Sequence, residues 1–227
     1  RSWAEQLGHV GSMAHAYDIE AMLHHHRRDF EALRAVIGKM RRLTLGNDFP
    51  ALAAKAQIFE GWCIGNTTDP ARGRELFEQG LAIHREIETL EDFPVYCDML
   101  AELHALTGDC EAGLRLLSDA VADAERTGQR YWLAELHHRR ARLLLQMGAG
   151  ADAAAEAFAR SLAIASEQNA AALLLAAYNT LAESGVSGEL VAAYGPHARR
   201  AMAQFEEASE MPIALESIAA HELHDPV

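Results

Sequence analysis

Apolar residues recur at helical spacing along almost the whole chain, and paired stretches of that pattern are joined by turns marked with glycine or proline. Residues 131–168 (YWLAELHHRRARLLLQMGAGADAAAEAFARSLAIASEQ) show it most plainly. Leu133, Leu136, Arg140/Ala141 and Leu144 share one helical face, and Glu135, His138, Arg142 and Gln146 share another. Gly148-Ala149-Gly150 forms a turn, and Ala154, Phe158, Leu162 and Ala165 line the inner face of a second helix. Each amphipathic face requires an apolar partner. A short loop makes the two helices antiparallel neighbours, and one hairpin alone cannot bury both faces. Further hairpins of the same kind must supply the cover.

The same pattern predicts them in order. Trp3 and Leu7 suit a short lead-in helix that Gly8 and Gly11 break. A helix from Ser12 to about Arg28 carries Met13, Ala16, Tyr17, Ala21 and His24 down one side. Asp29 caps the next, which carries Phe30, Leu33, Val36, Ile37 and Met40 and ends at Gly46-Asn47. Asp48-Phe49-Pro50 then returns as Asp92-Phe93-Pro94. Proline suits the first helical turn, where its missing N–H costs nothing, and the aromatic before it can staple the helix start to the core. Gln129-Arg130-Tyr131-Trp132 is a third such start without the proline. The helices so opened, at about 50–65, 93–107 and 131–147, are each followed by a second, at about 70–90, 110–127 and 152–168. Asn169 leads into a further first helix (AAALLLAAYNTLAESG), and 189–208 form its partner, bent or broken at Gly195-Pro196. Pro212 opens a last short helix.

The second helices carry a small, large, small triplet: Gly73/Phe77/Gly80, Gly113/Leu117/Ala120 and Ala154/Phe158/Ser161, whose first positions lie 40 and 41 residues apart. Ala32 and Val36 fit the first two positions of an earlier copy, where Lys39 breaks the third. Facing small residues stand in the first helices at Gly61, Ala101 and Ala141. Small residues here let the two helices of a hairpin approach closely. The period is about 40 residues, longer than the ~34 of the usual tetratricopeptide repeat. The expected fold is all-α, a right-handed tetratricopeptide-like superhelix in a single domain over 1–227, with hairpins at about 12–46, 48–91, 92–128, 129–168 and 169–209 and a terminal helix at 212–222.

Composition agrees with helix, since half the residues are hydrophobic and there are only six prolines. Against 33 Asp and Glu stand 20 Lys and Arg, a net charge of −13, which argues against general nucleic-acid or anionic-membrane binding. The basic clusters Lys39/Arg41/Arg42 and Arg139/Arg140/Arg142 read as solvated helix faces. Three cysteines without CxxC spacing fit a reducing compartment, and no apolar run reaches a membrane span. No signal peptide opens the chain, so a cytoplasmic location is expected. A start at Arg1 suits a fragment or processed product.

Candidate chemistry is thin. His24-His25-His26 point three ways from a helix, His137 and His138 diverge, and His221 and His224 are spaced three apart where HExxH needs four. No GxxxxGK[ST], GxGxxG or G-x-S-x-G occurs, and Cys63 beside Trp62 reads as core. No catalytic residue, metal site or cofactor is therefore expected. The candidate site is the concave groove lined by first helices, with Tyr17, His25, Ile58, Trp62, Asp98, Glu102, His138 and Arg142. Trp62, Glu102 and Arg142 share one register position, and Ile58, Asp98 and His138 another. An acidic centre between Trp62 and Arg142 suits a basic or amphipathic peptide. The alternative is that Trp62 lies buried between repeats and the charges solvate the face.

Residues 127–184 (TGQRYWLAELHHRRARLLLQ…ADAAAEAFARSLAIASEQNAAALLLAAYNTLAES) and 59–87 (FEGWCIGNTTDPARGRELFEQGLAIHREI) resemble the C-terminal tetratricopeptide region of large bacterial signalling proteins. In that family a nucleotide cyclase or DNA-binding domain precedes a STAND-type ATPase, which precedes the repeats. FEEASEMPIALESI (205–218) resembles the segment that closes the region, usually F-x-E-G-F-x-T-P-D-L. Phe205, Glu207 and Pro212 match it, and Ala208, Ser209 and Met211 depart from it. The resemblance implies a cytoplasmic, non-catalytic regulatory module. Its partner is a protein or peptide, or its own upstream ATPase or cyclase domain. The other function it admits is a small-molecule sensor controlling the upstream output.

Overall fold

A computed structural model describes residues 8–87 and 92–210. The regular structure among these residues is all helical, with ten α-helices joined by short turns and no strand. The helices are α1 (Val10–His26), α2 (Phe30–Thr44), α3 (Pro50–Thr67), α4 (Pro70–Glu86), α5 (Phe93–Leu106), α6 (Cys110–Thr127), α7 (Leu133–Met147), α8 (Ala151–Glu167), α9 (Ala171–Ser184) and α10 (Gly188–Glu210). The lead-in helix at Trp3 and Leu7 and the terminal helix at 212–222 lie outside the described residues.

The helix starts follow from local chemistry. Asp29, Asp69 and Asp109 each accept a hydrogen bond from the backbone N–H three residues on, at 3.1, 3.0 and 3.1 Å. These bonds satisfy N–H groups that a helix start otherwise leaves bare. Pro50, Pro70 and Pro94 stand in first turns. Phe49 and Phe93 pack against the core from just before or at the helix start. Three expectations need correction. Gly11 lies inside α1, which starts at Val10 because the His9 ring accepts the Ser12 N–H at 3.2 Å. The start that lacks proline, at 130–132, is a 3-10 turn, and α7 begins only at Leu133. Of the bend or break expected at Gly195-Pro196, the break does not occur: α10 is continuous through Pro196, whose missing N–H leaves one carbonyl a turn earlier without its helical partner.

The chain divides into two compact units. One ends at Trp132 and holds α1–α6, and the other begins at Leu133 and holds α7–α10. Within each, helices pack in sequence as hairpins, and each later first helix rests on both helices of the preceding hairpin. Thus α3 touches α1 and α2, α5 touches α3 and α4, and α9 touches α7 and α8. A chemical rung repeats with the hairpins. Arg34 of α2 donates to the Thr67 hydroxyl of α3 at 2.5 Å, and Arg74 of α4 donates to Thr107, just past α5, at 2.8 Å. The period exceeds the usual ~34 residues because helices of 14 to 18 residues fill it, while Thr68 and Asp69 alone separate α3 from α4.

The small residues sit at the predicted helix contacts. All members of the three triplets are buried. The tightest contact joins α3 and α4. A Cβ on Gly61 would lie 2.5 Å from Phe77 N and 2.7 Å from Gly73 O. A Cβ on Gly73 would lie 2.6 Å from Gly61 O and overlap the Gly65 backbone, and one on Gly65 would overlap Leu103. Two backbones in contact bury Phe59, Phe77 and Ile58 beside them completely. Gly80 is looser, with Ile58 N at 3.0 Å from its would-be Cβ.

Alanine at these positions sets helix propensity against space. Gly73→Ala is expected to destabilise by about 1–3 kcal/mol despite the gain in propensity. Gly80→Ala should cost less, and exposed Gly188→Ala, with nothing within 4 Å, should be neutral or slightly stabilising. Urea unfolding of the three variants checks the order, and a stable Gly73→Ala would contradict the backbone contact.

Candidate functional site

The α1–α2 turn carries the first part of the site. Its N–H groups close back on α1, Arg28 N to His25 O at 3.0 Å and Asp29 N to His24 O at 3.0 Å. Arg28 therefore takes the left-handed position, φ +53°, which helix ends usually give to glycine. Arginine there costs roughly 1 kcal/mol of backbone strain. Its side chain offsets that cost. One guanidinium nitrogen donates to Glu102 Oε1 at 2.9 Å and another to Asn66 Oδ1 at 2.8 Å. The guanidinium also lies 5.2 Å from the Trp62 ring centroid and 5.6 Å from that of Phe30.

Trp62 is the pivot. Its indole N–H donates to Glu102 Oε2 at 2.9 Å. Phe30 stacks on it at 5.1 Å between centroids, and the His25 ring meets it edge-on at 4.6 Å. Asn66 Nδ2 donates to Trp62 O at 3.0 Å, tying the far side of the arginine site to α3. Both oxygens of Glu102 are thus engaged, and the carboxylate is buried with charged and aromatic donors around it. This arrangement binds a cation and fixes helix register. Beside it, His26 stacks on Trp132 at 4.9 Å.

A second buried charge lies one stretch along α3. Lys55 Nζ donates to Asp18 Oδ2 at 2.6 Å and to Asp92 Oδ2 at 3.3 Å, and the Tyr131 hydroxyl reaches Asp92 Oδ1 at 3.4 Å. Burial pulls the Lys55 pKa down, but the two carboxylates outweigh it and hold the ammonium above its ordinary value.

In the other unit, the His138 ring spans two helices. Nδ1 lies 3.2 Å from both Glu135 oxygens, and Nε2 lies 2.9 Å from the Thr180 hydroxyl of α9. Burial pushes Glu135 up, yet the His138 hydrogen bond and the charges of His138, Arg139 and Arg142 hold it below the usual carboxylate range. Thr180 also hydrogen-bonds to Ala176 O at 2.9 Å, as hydroxyls within helices do, so it is anchored rather than poised as a nucleophile.

Of the sequence-predicted groove residues, His25, Trp62 and Glu102 come together in one cluster. Tyr17, Ile58 and Asp98 are buried at other places in the same unit, with Tyr17 under the Lys39 ammonium at 5.8 Å. His138 is buried in its own unit, and Arg142 is exposed there. Burial places seven of the eight inside the helix packing, where they offer a partner no open surface; the reading of an open groove lined by them does not match their exposure. Helix α5 shows why, because every residue from Pro94 to Leu103 is buried, leaving it no solvent face. Arg28, Asn66, Phe30, Asp18, Glu135 and Thr180 were not singled out as site residues. Lys55 had a signal, a lone charge inside PALAAKAQIF. Arg28 had none, since 74 residues separate it from Glu102.

Among the described residues, no three His, Cys, Asp or Glu side chains are grouped to hold a metal. Burial pushes the Cys63 thiol up to about 11 and the Cys97 thiol up to about 12, so neither is a thiolate at neutral pH. No family model matches the chain. It is similar to an uncharacterized protein of Rhizobium meliloti (strain 1021), with 34% identity over 185 residues. That match covers 82% of this chain and 18% of the relative, so the chain spans less than a fifth of the relative's length.

Arg28→Ala removes the guanidinium contacts and keeps the left-handed strain, whereas Arg28→Gly removes both. Stability should fall in the order native, Arg28→Gly, Arg28→Ala, with about 1 kcal/mol between the variants. Trp62→Phe strips the donor from a buried carboxylate oxygen and should cost about 1–3 kcal/mol. Chemical denaturation followed by circular dichroism measures all three, and equal stability of the two Arg28 variants would remove the strain argument.

The pH dependence has a definite sign. Glu135 is depressed on folding, so its contribution is present above the ordinary carboxylate value and is lost as pH falls through the lower folded value. Lys55 is raised, so its contribution holds below about 10.5 and is lost as pH climbs through the higher folded value. Glu135→Gln should therefore flatten the acid limb of a stability–pH curve and leave the alkaline limb unchanged.

Proposed function

We propose that this chain is a non-catalytic, tetratricopeptide-like helical-repeat module of a larger bacterial signalling protein, right-handed in its superhelix. It engages a protein or peptide, or the ATPase or cyclase domain of its own parent. One observation carries the reading. Within each unit, each later first helix rests on both helices of the hairpin before it; small residues let the two helices of a hairpin meet closely, and an Arg–Thr rung repeats in the first unit, as in proteins built from stacked hairpins. The match to less than a fifth of a long relative supports the placement within a larger chain.

The chemistry of engagement follows from which groups remain at the surface. Partner contact falls to the rims of the polar clusters and not to their buried members. Arg28, half exposed while pinned to Trp62 and Glu102, offers a pre-oriented guanidinium edge to a carboxylate, and exposed Tyr131 offers a ring face. Arg142 presents a cation in the other unit.

An antibody raised against residues 1–227 should detect, in native cells, a product several times heavier than 24.8 kDa. Deleting this region from that product should change its nucleotide turnover without abolishing it. A band at 24.8 kDa would overturn the placement in a larger protein.

A further inference from the structure

The first hairpin departs from the repeat at one place. Gly80 of α4 meets α3 closely, with Ile58 N at 3.0 Å and Ala54 O at 3.1 Å from its would-be Cβ. In the hairpin before, 41 residues back in each case, the same three positions hold Lys39 of α2 and Tyr17 and Met13 of α1. The later hairpins keep a small residue at the position of Gly80, as Ala120 and Ser161. A lysine and a methionine do not fit where a glycine and an alanine let two helices touch, so α1 and α2 cannot close there. The result is a hollow of about 380 Å³ lined, among the described residues, by Met13, Tyr17, Lys39, Arg42 and Leu43. It lies at the end of the hairpin opposite the turn that carries Arg28.

The hollow combines an apolar floor with positive charge. Tyr17 is buried, and Met13 and Leu43 pack half-buried against the core. The basic cluster that reads in the sequence as a solvated face divides in its contacts. Arg41 pairs with Glu60. The Lys39 ammonium stands 5.8 Å from the Tyr17 ring centroid and 3.7 Å from Glu20 Oε1, too far from that oxygen for a hydrogen bond. Arg42 forms no ion pair among the described residues, and its Nη1 lies against Gly38, 3.5 Å from where a Cβ would stand. Two cations against one carboxylate leave one positive charge in excess, in a chain whose total is −13.

That balance selects the ligand. The volume falls within the ~300–1,000 Å³ of small-molecule sites, which join an apolar lining to a few placed polar groups. A dianion would bring more charge than the hollow offsets, and a neutral apolar body would desolvate the ammonium without pairing it. We infer that the hollow binds a small organic carboxylate, its apolar body on Tyr17, Met13 and Leu43 and its charge on Lys39 and Arg42. This site goes beyond the protein contacts proposed above and does not depend on them.

Isothermal titration calorimetry of the full chain with octanoate tests this, with acetate (the charge without the body) and 1-octanol (the body without the charge) as comparisons. Octanoate should bind saturably, one per chain, and both comparisons about tenfold or more weakly. Lys39→Met keeps a long side chain and removes the charge, and should weaken octanoate by about tenfold or more, the effect of losing a hydrogen bond to a charged group. Arg115→Met removes an exposed charge on α6 and should leave the affinity unchanged. Circular dichroism checks that each variant is folded. Absence of saturable binding, equal affinity for octanoate and 1-octanol, undiminished binding by Lys39→Met, or an equal loss in Arg115→Met would overturn the proposal.

Discussion

The contact of two helix backbones at Gly61, Gly65 and Gly73 sets the geometry of the first unit. Helices usually stand apart by the thickness of their side chains; here α3 and α4 meet with none between them. The approach has a consequence one helix away. Gly65 leaves the space that the Leu103 side chain enters, which fixes the height of α5 against α3. Glu102 precedes Leu103 by one residue, and Trp62 precedes Gly65 by three. Seating Leu103 on Gly65 therefore carries the Glu102 carboxylate to the Trp62 indole, and their 2.9 Å hydrogen bond depends on a glycine that touches neither.

Burying charge beside such packing carries a desolvation cost that a hydrophobic pair would not. Lys55 and Glu102 meet it in the same way. Each is surrounded by partners from segments distant in sequence: Asp18 and Asp92 for Lys55, and Arg28 and Trp62 for Glu102. An apolar core tolerates a sliding helix, because one aliphatic contact replaces another at little cost. A buried ammonium between two carboxylates does not, because any slip leaves a charge unpaired. These clusters specify one alignment of α1, α3 and α5, which is also what holds the Arg28 edge in one orientation.

Helix positions and caps were legible in the sequence because their causes are local: an aspartate three residues before an N–H, a proline in a first turn, a glycine where two helices cross. The hairpin period was legible for the same reason. The groove was not. Polar residues at Asp98, Glu102 and His138 stand at helical spacing that reads as a solvent face, yet all three are buried, Glu102 and His138 against residues 40 or more positions away. Pro196 was expected to bend or break α10; it does not break it, because the loss is one hydrogen bond against the packing of Ala198 and Ala201, which are buried on the same helix.

The polar links between first helices repeat at nearly the spacing of the apolar triplets. Trp62 meets Glu102 across 40 residues, and His138 meets Thr180 across 42. A separate set joins a second helix to the end of the next first helix: Arg34 meets Thr67 and Arg74 meets Thr107, each across 33. The chemistry differs from copy to copy, indole with carboxylate in one and imidazole with hydroxyl in another, and the two links use different register positions of the repeat. Geometry explains this. Within each unit, neighbouring first helices bring equivalent register positions together, so a polar residue placed there finds its counterpart one period on. It must be satisfied by whatever side chain that counterpart carries. A change of side chain at such a position therefore requires a change in its partner. The apolar triplets answer to volume alone, which is why glycine, alanine and serine exchange among them and the tight α3–α4 contact needs glycine.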